Sequence, residues 1–467
     1  MRKVQIILLF VLFAFLSNAG TIEQTYYFNN YKVLSGEEYQ AIWLENTLLT
    51  GHTGEPVLPY SEVSLMLSPG ESAVSIEFIG EEETVIPGFF TLYPRQQSRT
   101  LNDDTPAGFQ KNEQVYNTDA FYPSKSTGEL LTQFMNGYSF ALSTFTPMKY
   151  NPVTGQVTFY KKVTIKITTK PSPAASKALQ NLSSTGTVKE KIGRFAQNMK
   201  MMAQYPADNK SADDYQLMII TTAQYENDFD DLIEIYIDRG IKSEVVTKEY
   251  ITANITGQDV QEKIRNYIIQ EYQNHNVEYV ILGGDVELIP YRGFYCYVQS
   301  GSGYEDNGIP ADLYYSGLDG TWNDDNDNHW GEPGEDDLLP DIAVGRMPFS
   351  NTTELNNLKH KSISYQNNPV LGEFTTPLLA GEYLYSSPET WGKDYLELLI
   401  GYHDDNGYTT IGIPEDDNIV TMYEHDQSWS GSDLIASINS GKQFVHHVGH
   451  ANETYVAHLS NGDITNS

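Results

Sequence analysis

An alternation of apolar runs and amphipathic segments constrains the fold of the second half of the chain. Residues 217–220 (Leu-Met-Ile-Ile) carry no polar side chain, as in a strand that is covered on both faces. A helical pattern follows at residues 229–236, a strand pattern at 241–247, a second helix at 260–272 and a third strand at 279–282. This β-α-β-α-β order predicts a parallel sheet with helices on its faces.

The same patterns recur towards the C-terminus. Strands are predicted at 378–380 and 444–448, and helices at 395–400 and 434–438. In open parallel sheets, sites collect beyond the carboxyl ends of the strands. Polar residues stand at three predicted ends: Asp285, Glu382 and His450.

Residues 20–170 have a different pattern and predict an all-β sandwich. Short alternating or β-branched runs are separated by Gly and Pro, and no helical period of useful length occurs among them. The runs are residues 63–67, 74–79, 91–93, 157–160 and 163–168.

Residues 171–212 separate the two patterns. The stretch opens with Pro171-Ser172-Pro173, is rich in Ser, Ala, Lys and Gln, and has few aromatic residues. This composition predicts an exposed linker. Its basic residues make it a candidate processing site, and a plain solvated linker explains the same composition.

The first 19 residues predict a signal peptide. Arg2 and Lys3 precede an apolar run at residues 6–16, and Ser17-Asn18-Ala19 offers small residues for cleavage after Ala19. The run is too short to span a bilayer as a stable helix. We therefore expect a secreted protein, extracellular or at the cell surface, with no transmembrane segment in the mature chain.

Charge and cysteine content exclude two classes of protein. The 62 acidic residues outnumber 29 basic ones and give a net charge of -33, which repels phosphate backbones and argues against nucleic-acid partners. The single cysteine, Cys296, excludes an intramolecular disulfide. Aromatic residues flank Cys296 and no acid or histidine is next to it, so a buried, inert thiol is predicted.

The strongest catalytic candidate is His450, in the sequence Gly449-His450-Ala451 after an apolar strand. A neutral imidazole there can accept a proton from a thiol or hydroxyl, and the N–H of Ala451 can stabilise an oxyanion. Glu382 also follows a predicted strand directly and is placed to orient His450 by a hydrogen bond, as the third group of a triad does. Ordinary polar strand ends explain the same residues without catalysis.

Residues 319–341 hold nine carboxylates and neither Lys nor Arg. Alternating oxygen donors in a Gly-containing loop suit calcium, a hard cation that takes several oxygen ligands. The predicted ligands are Asp319, Asn323, Asp325, Asp327 and Glu332. The loop is not an EF-hand, because Asn328 replaces its glycine and Gly334 its closing glutamate. A solvated acidic loop is the alternative.

Several stretches resemble the gingipain-type cysteine peptidases, peptidase family C25, in a divergent branch. They are Tyr279-Val280-Ile281-Leu282-Gly283-Gly284-Asp285, Asp312-Leu313-Tyr314-Tyr315, Leu318-Asp319-Gly320-Thr321-Trp322-Asn323, Pro340-Asp341-Ile342-Ala343-Val344-Gly345-Arg346-Met347-Pro348, Gly381-Glu382 and Gly449-His450-Ala451-Asn452-Glu453-Thr454. The resemblance covers about residues 214–467. More weakly, residues 54–59 and 145–152 resemble the family propeptide.

The resemblance implies an α/β caspase-like sandwich, a parallel sheet with flanking helices, preceded by an all-β sandwich pro-domain. The expected divisions are a signal peptide (1–19), the propeptide-like domain (20–170), the linker (171–212) and a peptidase domain (213–467) that is incomplete at its C-terminus. The implied protein is a secreted cysteine endopeptidase precursor acting on proteins or peptides, with its own pro-domain as inhibitor. His450 would be the base, Glu382 its orienting acid, and Ala451 N–H part of the oxyanion hole, with calcium as a structural cofactor.

The family nucleophile is a cysteine that follows the histidine turn by a few dozen residues. Cys296 precedes His450 and does not match it, so the nucleophile is expected beyond Ser467, and residues 1–467 alone are expected to be inactive. Ala451 stands where glycine is usual, which leaves its N–H available. Two alternatives remain: a non-catalytic secreted surface protein or adhesin with a degenerate peptidase-like domain, and an exported hydrolase with a hydroxyl nucleophile. The second lacks a supporting Gly-x-Ser-x-Gly elbow.

Overall fold

The computed structural model describes residues 20–463 except 37, 97–107, 209–214, 299–303, 387–388, 406–407 and 453. The predicted signal peptide, the end of the predicted linker and Glu453 of the histidine turn lie outside the described residues. The described chain has an all-β region first and an α/β region second, in the predicted order.

The described residues of the N-terminal region form ten strands and one short helix. They are β1 (Gly20–Tyr27), β2 (Tyr31–Ser35), β3 (Gln40–Leu44), β4 (Leu48–Thr50), β5 (Leu58–Met66), β6 (Glu71–Ile86), α1 (Glu113–Tyr116), β7 (Leu131–Met135), β8 (Tyr138–Phe145), β9 (Met148–Asn151) and β10 (Gln156–Pro171). Two four-stranded antiparallel sheets, β1-β10-β6 with β9 on β10 and β4-β5-β8-β7, contribute to one buried core. The small β2-β3 sheet pairs separately.

Four of the five predicted strand runs are confirmed, because they lie within or overlap β5, β6 and β10. The strand predicted at residues 91–93 is wrong. Leu92 makes only an isolated bridge with Gln40, and its N–H donates to the Tyr150 hydroxyl. Backbone hydrogen bonds with Gln40 are thus limited to one bridge, which is too short to form a strand.

The stretch predicted as an exposed linker is helical over most of its length. It forms α2 (Pro173–Ala178), a 3-10 turn (Leu179–Asn181), α3 (Gly186–Phe195) and a second 3-10 turn (Met199–Gln204). Val188 and Ile192, one helical turn apart, are buried with Tyr138 and Phe140 of the β-region. The exposed-linker prediction is therefore wrong for these residues, because Leu182, Ala196 and Tyr205 of the same stretch are buried in this core as well. The domain boundaries and the processing site stay predictions.

Sixteen strands and six helices lie in the part of the α/β region that the structure describes. The elements are β11 (Leu217–Thr221), α4 (Asp230–Asp238), β12 (Ser243–Thr247), α5 (Lys248–Asn254), α6 (Val260–Asn274), β13 (Tyr279–Gly283), β14 (Arg292–Val298), β15 (Tyr304–Ala311), β16 (Ala343–Met347), α7 (Thr352–Asn367), β17 (Leu378–Gly381), β18 (Tyr383–Ser386), β19 (Glu389–Trp391), α8 (Gly392–Leu396), β20 (Tyr402–Asp405), β21 (Tyr408–Ile411), β22 (Val420–Tyr423), α9 (Gly431–Asn439), β23 (Val445–Val448), β24 (Ala451–Asn452), β25 (Tyr455–Val456) and β26 (Leu459–Ser460).

The parallel strands form two separate sheets among the described residues. The first has the order β12-β11-β13-β16 and the second β22-β17-β23, with parallel pairing throughout both. Helix α6 packs on one face of the first sheet, and α4 and α7 pack on the other. Helices α9 and α8 similarly contribute to separate cores around β17. The predicted parallel β-α-β pattern is confirmed, and its two-sheet division is a further finding.

No helix in the described part of the chain has the length and apolar character needed to cross a bilayer.

Candidate active site

Glu382 and His450 lie side by side because their strands are parallel neighbours. Gly381 at the end of β17 stands opposite Val448 at the end of β23, and the N–H of Glu382 donates to the Val448 carbonyl at 2.9 Å. Asp285 follows β13 in the other parallel sheet. Of the three predicted strand ends, two therefore meet at one sheet edge.

The Glu382 carboxylate is buried and accepts two hydrogen bonds. Its Oε2 accepts the backbone N–H of His450 at 2.9 Å, and its Oε1 lies 2.9 Å from Nε2 of His447. The side chain of Glu382 is 6% exposed and that of His447 is 16% exposed. Glu382 thus fixes the position of the His450 backbone while its side-chain partner is the imidazole of His447.

The predicted bond from Glu382 to the His450 imidazole is absent from this arrangement. The His447 imidazole occupies Oε1, and the His450 amide occupies Oε2. His450 is exposed, and its ring meets that of Tyr385 edge-on with centroids 6.3 Å apart. The imidazole predicted to act as base is thus held through its backbone and presented to solvent.

Position 449 requires a glycine because the Glu382 carboxylate and the His447 imidazole both lie close to it. A Cβ added there would lie 2.4 Å from Cδ of Glu382 and 2.4 Å from Nε2 of His447. Even alanine would displace the carboxylate or the ring, so the glycine before the histidine has a steric role here.

A second imidazole–carboxylate pair adjoins the first. His458 Nε2 lies 2.9 Å from Oε1 of Glu424 and 3.9 Å from Oε1 of Glu382, while its Nδ1 is 2.9 Å from the Tyr455 hydroxyl. Ala457 and His458 both have left-handed backbones, with φ of 53° and 59°. This strained two-residue turn between β25 and β26 aims the ring at the carboxylates. Sequence reasoning missed both His447 and His458.

Ala451 begins β24 and stands opposite Val456 of β25. Its predicted contribution to an oxyanion hole stays a prediction. Cys296 lies in β14, opposite Asp306 of β15, in a two-stranded sheet separate from that of His450. Its thiol is half-buried rather than fully buried as predicted, because a two-stranded hairpin covers only part of its side chains.

The structure does not gather the predicted acidic metal ligands around one point. Asp319 is grouped with Asp337 and Asp341, whose ligand oxygens lie within 4.8 Å of one another. Asp327 and Glu332 instead flank Nδ1 of His329, at 3.4 and 3.5 Å.

The two remaining predicted ligands make hydrogen bonds within the loop, although Oδ1 of Asn323 has no partner among the described residues. The Nδ2 of Asn323 donates to the Asp327 carbonyl, and Asp325 Oδ1 accepts the Asp327 N–H. The predicted set is thus divided because residues 322–336 form a compact turn of their own.

The cluster of Asp319, Asp337 and Asp341, here called the tri-aspartate cluster, is buried. Burial and the neighbouring carboxylates raise the pKa of Asp319 well above its usual range and that of Asp337 to about 7. Burial raises the pKa of Asp341 to about 6. Oδ2 of Asp319 and both carboxylate oxygens of Asp337 have no hydrogen-bond partner among the described residues. Such oxygens are suited to a cation.

The N-terminal region reaches this cluster through an Asn-Gly turn that the sequence analysis did not use. Asn136 and Gly137, with φ of 53° and 82°, join β7 to β8. Asn-Gly between alternating runs is the strongest short-range hairpin signal. That signal predicts the turn, although not its docking on Asp341.

Several curated proteins are similar in sequence to this chain. The chain is 23% identical over 420 residues to gingipain R2 of Porphyromonas gingivalis, covering 86% of this chain and 50% of the relative. It is 22% identical over 419 residues to gingipain R1 of the same organism, covering 86% and 36%. An uncharacterised protein of Archaeoglobus fulgidus is 24% identical over 258 residues, covering 50% and 56%. The chain thus spans half or less of the gingipain relatives' length.

Solved structures of gingipains are also similar in part. A crystal structure of the Arg-specific cysteine proteinase gingipain R matches with a TM-score of 0.37 and 21% identity, over 56% of this chain and 54% of that one. The complex of pro- and mature domains of RgpB from Porphyromonas gingivalis matches with a TM-score of 0.30 and 17% identity, over 40% and 96%.

Two family models match consecutive parts of the chain. The propeptide model of family C25 matches residues 24–202, which include the helical segment after β10. The model of peptidase family C25 matches residues 210–467, more than half of the chain. The family predicted from the sequence motifs is confirmed: this chain belongs to peptidase family C25.

Proposed function

We propose that the chain is the precursor of a secreted cysteine endopeptidase that hydrolyses peptide bonds by a Cys-His mechanism. The observation that carries the proposal is the exposed His450 at the end of β23, with its backbone N–H held by the buried Glu382. Family membership supports a peptidase, and the predicted signal peptide supports secretion to the extracellular space or cell surface.

In this mechanism the His450 imidazole accepts the proton of a cysteine thiol, and the thiolate attacks the scissile carbonyl carbon. The protonated imidazole then gives its proton to the leaving amine as the C–N bond breaks, and a water molecule deprotonated by the same imidazole hydrolyses the resulting thioester and frees the cysteine. The N–H of Ala451 stabilises the oxyanion. Glu382 acts on His450 through the backbone rather than through the ring, so it is a positioning residue. We propose that the nucleophile is a cysteine other than Cys296, which lies in a different sheet.

The test uses the full-length natural protein and a protein substrate such as casein. His450→Ala is expected to lower kcat/KM by at least about 100-fold, the usual contribution of a general base. His446→Ala is the matched control, since His446 is exposed on the same strand, and it is expected to keep the wild-type rate. Unchanged activity in His450→Ala would disprove the assignment, and no activity in the wild type would favour the non-catalytic surface-protein alternative.

The nucleophile is identified by alkylation with iodoacetamide and mass-spectrometric mapping of the inactivated protein. We expect the inactivating label on a cysteine other than Cys296, and Cys296→Ser is expected to stay active. Inactivation by Cys296→Ser would overturn this part of the proposal.

We further propose that the N-terminal region acts as an inhibitory pro-domain and is released by cleavage within residues 171–212. Its match to a family propeptide supports this role. N-terminal sequencing of the active enzyme is expected to show a start within or just after this stretch. Full activity with a start near Gly20 would contradict the proposal.

We also propose calcium as a structural cofactor, with Asp319, Asp337 and Asp341 as the residues that would hold it. The buried oxygens without partners on Asp319 and Asp337 fit a hard cation, which offsets the repulsion among three carboxylates. We expect calcium to raise the unfolding temperature and a chelator to reverse the effect. Equal unfolding temperatures in calcium and chelator would remove the metal from the proposal.

A further inference from the structure

The tri-aspartate cluster lies where the N-terminal region, taken here together with the helical segment that follows β10 up to Gln204, docks on the α/β region. The backbone N–H of Asn136 donates to Asp341 Oδ1 at 2.5 Å, and its Nδ2 donates to the Asp341 carbonyl at 2.7 Å. Asn181 Nδ2 donates to Asp319 Oδ1 at 3.0 Å. Lys191 Nζ donates to the carbonyls of Pro340 and Asp341 at 2.7 and 3.2 Å. Two of the three carboxylates are therefore direct docking contacts.

The oxygens of the cluster that accept hydrogen bonds from the N-terminal region differ from those that have no partner. Asp319 uses Oδ1 for Asn181, whereas its Oδ2 has no partner. Asp341 uses Oδ1 for Asn136 and Oδ2 for the Leu318 N–H. Both oxygens of Asp337 are without a partner in the described chain. A cation held by the free oxygens would leave the docking bonds in place.

A fourth buried oxygen belongs to the N-terminal region itself. Asn136 is fully buried, its Nδ2 bonds to Asp341 and to the Tyr272 hydroxyl, and its Oδ1 has no partner within the described residues. The docked turn thus brings an additional neutral oxygen donor to the neighbourhood of the cluster.

The charge of the three carboxylates also favours a bound cation. The buried guanidinium of Arg265 donates to the carbonyls of Gly317, Asp319 and Gly320 rather than to the carboxylates. The three clustered carboxylates therefore receive no hydrogen bond from Arg265 that would offset their mutual repulsion. A bound cation would offset that repulsion and hold the two docking carboxylates in place.

Two residues of the cluster border a cavity between the two regions. The cavity has a volume of about 740 Å³, and its lining includes Gln133 and Asn181 on one side and Asp319 and Asp337 on the other.

We propose that cation binding at the tri-aspartate cluster and docking of the N-terminal region stabilise each other, so that calcium fastens the pro-domain to the peptidase region. The inference rests on the calcium site proposed above. Because coupling between two sites is reciprocal, calcium strengthens docking by the same factor by which docking strengthens calcium binding.

The first test measures calcium affinity of the full chain by isothermal titration calorimetry. Asn181→Ala removes a docking donor without removing a proposed ligand, and it is expected to weaken calcium binding by at least about 5-fold, the lower end of typical coupling. Asn30→Ala is the matched control, because Asn30 bonds to Glu45 at an exposed site of the same region, and its affinity is expected to be unchanged. Asp337→Asn is expected to abolish binding.

The second test measures the reverse direction by hydrogen exchange of the β7–β8 hairpin, residues 131–142. Calcium is expected to slow exchange there in the wild type and not in Asp337→Asn, relative to chelator. Wild-type calcium affinity in Asn181→Ala, or hairpin exchange that ignores calcium, would overturn the coupling while leaving the metal site intact. Absence of calcium binding by the wild type would overturn both, and neither result affects the His450 test of the peptidase.

Discussion

Replacing Glu382 tests whether one buried carboxylate holds the histidine turn together. Glu382→Ala leaves two donors without an acceptor, the backbone N–H of His450 and the ring N–H of His447. Each unsatisfied buried donor costs about 1–3 kcal/mol. We therefore expect the local opening free energy of β23 to fall by about 3 kcal/mol.

Glu382→Gln is the matched control. The amide oxygen can still accept the His450 N–H, and the amide nitrogen can donate to His447 in its other tautomer. This variant loses the charge assistance of the hydrogen bonds, so we expect a loss of only about 1 kcal/mol.

Hydrogen exchange of residues 445–450 measures the difference. At about 1.4 kcal/mol for each factor of ten, the alanine variant is expected to exchange about 100-fold faster than the wild type, and the glutamine variant about 5-fold faster. Residues 279–283 in the other parallel sheet serve as an internal reference and are expected to be unchanged. Equal exchange in the two variants, or wild-type exchange in the alanine variant, would refute the role of Glu382.

Two other substitutions test the packing and the ion pairs. Gly392→Ala would place Cβ 2.4 Å from a carbonyl oxygen of β23. We expect this variant to have a free energy of unfolding in urea that is lower by about 1–3 kcal/mol. Gly372→Ala, with open space around it, is expected to leave the stability nearly unchanged. Burial alone would raise the pKa of Asp259, but the hydrogen bonds and charge of Arg292 outweigh it and lower the pKa. The pair between Asp259 and Arg292 therefore contributes stability above the ordinary aspartate pKa, and this stability is lost as the pH falls through the lowered pKa. Between pH 6 and pH 3, the urea midpoint is expected to fall less in Asp259→Asn than in the wild type. Equal falls in the two proteins would contradict this linkage.

Strand and helix periodicity predicted the elements of the site well. The apolar runs at residues 378–380 and 444–448 form β17 and β23, whose ends bring Glu382 and His450 together. The sequence does not decide which of His446, His447 and His450 contacts the Glu382 carboxylate. That depends on how the His447 ring and the carboxylate pack against Gly449. Side-chain contacts of this kind depend on the tertiary structure, and local sequence patterns do not predict them.

In residues 319–341, by contrast, the spacing of the acidic residues pointed to residues that the structure does not bring together. Its composition predicted a cation, but regular spacing favoured Asn323, Asp325 and Asp327, which lie in an exposed turn. Asp319 and Asp337 are buried together although irregular chain separates them, and the N-terminal region adds contacts from residues far away in sequence. Local spacing carries no signal for such a site.

The contacts of Asn136, Asn181 and Lys191 with the α/β region have a consequence for any cut made near residue 210. All three lie on the N-terminal side of that point, so severing the chain there leaves these three contacts in place. It converts an intramolecular contact, maintained at a high effective concentration, into a complex of two separate chains. Below the dissociation constant of that complex the two pieces separate on dilution, and above it they stay together, so protein concentration determines whether a nicked molecule remains assembled.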